Sequence, residues 1–149
     1  MGKPWLLCVA TFSTFFCTAI NAYTLQLGYP LWRFIGATEF SVVHREYLRR
    51  LNWVITIPHI VMFFSTAGLV IWRPSFMAAV NAWGVATLAW MVVGVSAFVA
   101  GPVHNRFGRQ GRIDERGMCW LTGISLARTL MMLAASVLLS MAMVEGLSR

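Results

Sequence analysis

The chain has 149 residues and a formal charge of +7, is 58% hydrophobic and only 11% charged, and has a mean hydropathy of +0.69. Soluble domains carry about a quarter charged residues to make their polar shell, so this composition excludes a water-soluble globule, and the missing polar surface must face lipid. At about 20 apolar residues per crossing, the length allows roughly four spans in a single membrane domain over residues 1–149.

Four apolar runs supply them, at about residues 5–27, 51–72, 78–100 and 118–144. None contains Asp, Glu or Lys, and Arg128 is the only full charge deep inside any of them. They are expected to be helices, because an isolated strand in hydrocarbon leaves its backbone N–H and C=O groups unpaired. The first run follows a single Lys3 and lacks a small-x-small cleavage site near Asn21 to Gly28, so it reads as a permanent helix and not as a cleaved leader. Between the first two runs, Phe40, Val43, Tyr47 and Leu51 recur at helical spacing, with Glu39, Arg45, Glu46, Arg49 and Arg50 elsewhere on the wheel. That pattern predicts a short amphipathic helix in the interface at about residues 38–50, either separate from the second span or continuous with it. The expected fold is therefore an all-α integral membrane protein, a four-transmembrane-helix bundle with an interfacial helix between spans 1 and 2.

Charge orients the bundle. The first connection carries Arg33, Arg45, Arg49 and Arg50, and the third carries Arg106, Arg109, Arg112 and Arg116, whereas the opposite side has only Lys3, Arg73 and Arg149. The positive-inside rule puts the Arg-rich connections in the cytoplasm and both termini outside it, in a bacterial inner (cytoplasmic) membrane. The basic face is expected to contact anionic lipid headgroups or partner subunits through Arg45, Arg49, Arg50, Arg106, Arg109, Arg112 and Arg116, with Arg128 as a further partner or lipid contact inside span 4, and nucleic acid is not expected as a partner. Trp5, Trp32, Trp53, Trp72, Trp83 and Trp120 fall near span ends, as an interfacial belt requires, and Trp90 alone lies mid-span.

Polar and small residues mark the sides that should face inward. They are Thr11, Thr14, Thr18 and Asn21 in span 1; Thr56, His59, Phe63 and Thr66 in span 2; Gly84, Thr87, Met91 and Gly94 in span 3; and Ser125, Arg128 or Thr129, Met132 and Ser136 in span 4. Pro58 lacks a backbone N–H and favours a kink just before His59. Cys8, Cys17 and Cys119 are too dispersed for a disulfide and form no C-x-x-C.

The residues able to carry chemistry gather toward the Arg-rich end: His44 and His104 near the interface, His59 inside span 2, and Arg128 inside span 4. A charged residue at mid-membrane costs about 2.5 to 3.5 kcal/mol unless it is paired or snorkels, and no span contains an acid to pair with Arg128. His59, His104 and Arg128 are the candidate catalytic residues. His44, His59 and His104 are weak candidates for metal ligands, because their spacing matches no compact ligand motif. No cofactor is expected beyond a bound lipid or quinone. Nucleotide loops, a nucleophile elbow and H-E-x-x-H are absent from the sequence, as are the intramembrane acid and inverted repeat of an ion-coupled transporter.

Four segments carry a family likeness: Gly28-Tyr29-Pro30-Leu31; Glu39-Phe40 followed by His44; Pro102-Val103-His104-Asn105-Arg106-Phe107; and Arg128-Thr129. With them the chain resembles uncharacterised small bacterial four-span membrane proteins. More remotely it resembles the anthrone-oxygenase-like membrane family, whose third span also ends in Pro-x-(His or Asn)-Asn-x-(Leu or Phe). The resemblance implies a four-helix membrane fold and oxygenation of aromatic polyketides, with His104, Asn105 and Arg106 at the matching positions.

Three functional readings follow. The first is a small accessory or structural subunit packed against a larger membrane complex, of respiratory or photosynthetic type, through its arginines. The alternative is a membrane oxidoreductase or oxygenase-like enzyme that acts on a hydrophobic small molecule at a His/Arg site. The third is a lipid- or quinone-binding protein. What surrounds Arg128 discriminates among them.

Overall fold

The computed structural model describes residues 3–36 and 38–148; Arg149, counted above for orientation, lies outside the described residues. Four long helices make up the chain: α1 (Pro4–Trp32), α2 (Phe40–Ile71), α3 (Ala79–Gln110) and α4 (Glu115–Leu147), of 29, 32, 32 and 33 residues. Each is long and apolar enough to cross a membrane, so this is a multi-pass, all-helical membrane protein. At 1.5 Å per residue the helices are about 44 to 50 Å long, against a hydrocarbon core of about 30 Å. Their excess length projects toward the headgroups.

The predicted interfacial helix is not a separate element. Its residues form the first turns of α2, unbroken from Phe40 to Ile71. Continuity is favoured because Phe40 and His44 are buried against the rest of the bundle, so the turn of the chain falls before them, at Arg33 to Glu39.

The helices form a square: α1 packs on α2 and α4, and α3 packs on the same two, so α1 faces α3 across one diagonal and α2 faces α4 across the other. The chain start meets the end of α2, where Lys3 N–H donates to the Trp72 carbonyl at 3.1 Å and the Lys3 ammonium lies 5.0 Å from the Trp72 ring centre. Around that end the packing is apolar and close, using Ala10, Ala82, Ala89, Ala135 and Ala142 with Met62, Leu69, Met132 and Leu139. Lipid tails are as apolar as these side chains, so small residues that let backbones approach carry the association. At Gly68 a Cβ would lie 3.2 Å from Leu6 Cδ2. The Arg-rich end has a second, aromatic layer of Tyr29, Trp32, Phe40, Phe107, Met118 and Leu121.

Two helices are interrupted by π turns, Thr24–Gly28 in α1 and Ser96–Ala100 in α3, in which Tyr29 N–H bonds to Thr24 O and Gly101 N–H to Ser96 O, five residues back. The two share a local pattern. Each begins with a hydroxyl residue whose side chain bonds the carbonyl four residues earlier (Thr24 to Ile20 at 2.9 Å, Ser96 to Val92 at 2.7 Å), and each is followed within two residues by a proline, Pro30 or Pro102. Proline lacks an N–H and crowds the carbonyl four residues back; the wider π turn relieves that crowding. One inserted residue shifts everything beyond it by about 100° around the helix.

The inward sides agree with expectation in α1 and α4, where Thr14, Asn21, Ser125, Arg128, Met132 and Ser136 are buried. In α2, His59 and Thr66 are buried but Thr56 is exposed. In α3 the expected stripe is displaced. Thr87 and Met91 face outward, and the buried positions are Ala82, Val85, Ala86, Ala89 and Val92. The small alanines allow the close helix approach on which packing in lipid depends. Val43 of the amphipathic segment is likewise exposed. All three cysteines are free thiols.

Candidate functional site

Between the apolar and aromatic layers lies a polar layer, and Arg128 organises it. The residue is 8% exposed. Its Nη1 donates to Ser96 Oγ at 2.9 Å, at the first residue of the α3 π turn. The guanidinium also lies within electrostatic range of Tyr29, Tyr47, His59 and His104. One cation from α4 thereby addresses all three other helices. No carboxylate takes part: the acid–base ion pairs among the described residues join Glu46 to Arg49 and Arg50, and Asp114 to Arg106.

The π turns bring the partners in. Beyond the first, Tyr29 and Trp32 are nearly fully buried; beyond the second, His104 turns toward them. Tyr29 Oη and His104 Nε2 are 3.3 Å apart. Trp32 is the centre of an aromatic box: the rings of Tyr29, His44, Tyr47 and His104 lie 5.0 to 5.5 Å from it. His44 and His104 stack at 5.9 Å. Tyr47 Oη sits over Gly28, where a Cβ would lie 3.0 Å from it; glycine is needed there for close approach.

His59 lies deeper. Its Nδ1 donates to the Ile55 carbonyl at 2.8 Å and is 3.6 Å from Cys17 Sγ, so the neutral ring presents Nε2 as an acceptor. An open groove of about 510 Å3 between α2 and α3 is lined by His59 and Ser96 together with Ile60, Phe63, Phe64 and Val93. The layer around Arg128 therefore opens sideways toward the bilayer.

Many buried polar atoms here have no hydrogen-bond partner. Arg128 Nε, Ser125 Oγ, His59 Nε2, His104 Nδ1, His44 Nε2 and Tyr47 Oη all belong to this half of the bundle, and only Thr14 Oγ1 joins them from elsewhere. Leaving a polar group buried and unbonded costs roughly 1 to 3 kcal/mol, and native proteins leave few such groups. Six such atoms in one half of the bundle give it an unusual capacity for further hydrogen bonds.

The structure thus brings His104 and Arg128 into one constellation, sets His59 on its inner side, and adds His44. No group of three His, Cys, Asp or Glu side chains converges as a metal site among the described residues: His59 lies on a different level from the stacked His44 and His104. Arg45, Arg49, Arg50, Arg106, Arg109, Arg112 and Arg116 are exposed at the same end. Asp114 caps α4 by accepting from Gly117 N–H at 2.6 Å and pairs with Arg106; the N–H first, and the guanidinium second, hold its carboxyl below the usual range. Sequence reasoning missed Tyr29, Trp32, Tyr47 and Ser96. The signal that points to three of them is the proline after each hydroxyl-started segment, Thr24 to Pro30 and Ser96 to Pro102. No family model, curated protein or solved structure matches this chain.

Proposed function

We propose that this protein binds a hydrophobic small molecule bearing an acidic hydroxyl or enol group, drawn from the bilayer, and acts on it as an oxidoreductase or oxygenase-like membrane enzyme. The observation that carries the reading is the set of unpaired buried atoms around Arg128, with no carboxylate among them. A phenol or enol meets that set: His59 Nε2 accepts its proton and Arg128 Nε–H holds the resulting oxyanion. Preorganised donors aimed at a developing oxyanion in a site shielded from water are an effective catalytic device, and deprotonation makes an aromatic substrate electron-rich and oxidisable. The aromatic box around Trp32 supplies a flat apolar wall. The excess of arginine at one end supports, through the positive-inside rule, our further proposal that this end lies in the cytoplasm and both termini outside it, in the inner membrane of a bacterium.

The test is purification in gentle detergent, followed by an optical spectrum, metal analysis and extraction of retained small molecules. A retained aromatic or quinone-type compound that disappears in Arg128→Met and His59→Ala supports the proposal. A wild-type protein that retains none and gains no stability from added hydroquinones or anthrone-type phenols sinks it.

A second reading is an accessory subunit of a larger membrane complex. It is favoured by Arg45, Arg109 and Arg116, exposed at one end and without an ion pair among the described residues. Native mass measurement of the extracted protein separates the two: a retained protein partner favours the subunit, a monomer with a bound small molecule the enzyme.

A further inference from the structure

A second groove lies on the outer side of the α2–α3 pair, toward the Arg-rich end. It encloses about 920 Å3 and is lined by His44, Arg45, Arg49, His104, Asn105 and Arg109 among others. Asn52 lines both this groove and the apolar one over His59 and Ser96, so the two adjoin there and are taken together as a cleft with one cationic and one apolar end.

We infer that this cleft holds one anionic lipid of the adjacent leaflet, its phosphate among Arg45, Arg109, His44 and His104 and one acyl chain over Ile60, Phe63 and Phe64. Three observations support that occupant. First, the charge is available: Arg49 is already held by Glu46, whereas Arg45 and Arg109 have no ion pair among the described residues. Second, His44 and His104 line the groove beside Arg45 and Arg109, with Asn105 as a further polar side chain there. Third, the length fits. From Asn52 to Phe64 the cleft follows twelve residues of helix, about 18 Å, close to half of a hydrocarbon core about 30 Å thick. A free anion in water satisfies the cationic end but leaves the apolar end empty.

The consequence for the buried site is direct. The acyl chain covers His59 and Ser96, so the lipid and a substrate arriving from the bilayer exclude one another. This last step rests on the enzymatic reading above; lipid retention itself does not.

The protein is reconstituted in vesicles of phosphatidylcholine with a minor fraction of phosphatidylglycerol, extracted, and weighed intact by native mass spectrometry. The expected result is one phosphatidylglycerol retained in preference to phosphatidylcholine. Arg45→Gln with Arg109→Gln lowers that retention about 30-fold, as loss of two basic contacts near a membrane surface predicts. Arg33→Gln with Arg116→Gln, which removes the same charge outside the cleft, changes it less than about twofold. Both pairs are exposed, so folding is not at risk. Equal loss in the two double variants, equal retention of the two lipids, or displacement of the lipid by millimolar inorganic phosphate would each overturn the inference. If the lipid is retained as expected but no small-molecule substrate is found, the cleft stands and the enzymatic reading alone fails.

Discussion

Arg128 on α4 donates from Nη1 to Ser96 Oγ at 2.9 Å, and Ser96 donates in turn to the Val92 carbonyl at 2.7 Å. The only full charge deep in a span is thus fastened to the first residue of a π turn, where α3 departs from regular geometry. π turns concentrate at functional sites, because the widened backbone re-aims the side chains that follow; here His104 is the side chain re-aimed.

Arg128→Met separates function from stability. The desolvation penalty of a buried arginine disappears and the methionine chain fills similar space, so the thermal midpoint in detergent is expected to stay level or rise. Binding at the site is expected to be lost. A variant that unfolds while binding remains in the folded fraction would mean that Arg128 is structural glue and not a ligand anchor.

Ser96→Ala removes the acceptor of Arg128 without changing charge. Interhelical hydrogen bonds in membranes contribute about 0.6 kcal/mol on average, up to about 1.7, and one to a cation belongs at the upper end. Unfolding by a graded denaturing detergent is expected to shift by roughly 1 to 1.5 kcal/mol, with ligand affinity falling as Arg128 loses its orientation. No shift in either measurement contradicts the assigned bond.

Close packing at the Arg-rich end is tested at Gly117, where a Cβ would meet the Phe107 ring at 2.7 Å. Gly117→Ala is expected to destabilise by about 1 to 3 kcal/mol, the usual cost of overpacking. Gly123, on the same helix, has nothing within 4 Å of its Cβ position, and Gly123→Ala is expected to be neutral or stabilising by up to about 1 kcal/mol, through helix propensity. Melting the two variants side by side reports on packing alone.

Acid sensitivity at the start of α4 follows from Asp114. Its carboxyl is held below the usual range by Gly117 N–H and then Arg106, so the stabilisation it contributes is fully present above the ordinary aspartate range and is lost as pH falls through the depressed folded value. Asp114→Asn keeps a capping residue but removes the charge. Its stability is therefore expected to be lower than wild type at neutral pH and to converge with it in strong acid. Parallel melting curves across that range check this.

Much of the architecture is legible in residue order. Four apolar runs, the arginine asymmetry and the Trp belt are one-dimensional quantities, and their lengths match the bilayer whatever packs against what. The buried sides of α1 and α4 are legible too, since Thr14, Asn21, Ser125 and Arg128 have no satisfactory place in lipid. The side of α3 was not, because the alanine and valine that line it carry no polar mark. Residue order left open whether the amphipathic segment joins the second span, because charged residues at Arg45 to Arg50 resemble an interfacial helix whether or not the chain bends after them; the structure makes the two continuous.

Sequence by itself determined that this is a four-span membrane protein, which end is basic, and that Arg128 has no acid in its own spans to pair with. Hydrophobicity and net charge sum along a chain without regard to contacts, and that is why those properties need no structure. Only the tertiary structure decided that Arg128 is answered by Ser96 of this same chain, that His104 and His44 stack beside Trp32, and that His59 lines a groove between α2 and α3. Those relations depend on helix phase and on which diagonal of the bundle each helix occupies. A single inserted residue in a π turn changes the first by about 100° while leaving the composition of the span unaltered.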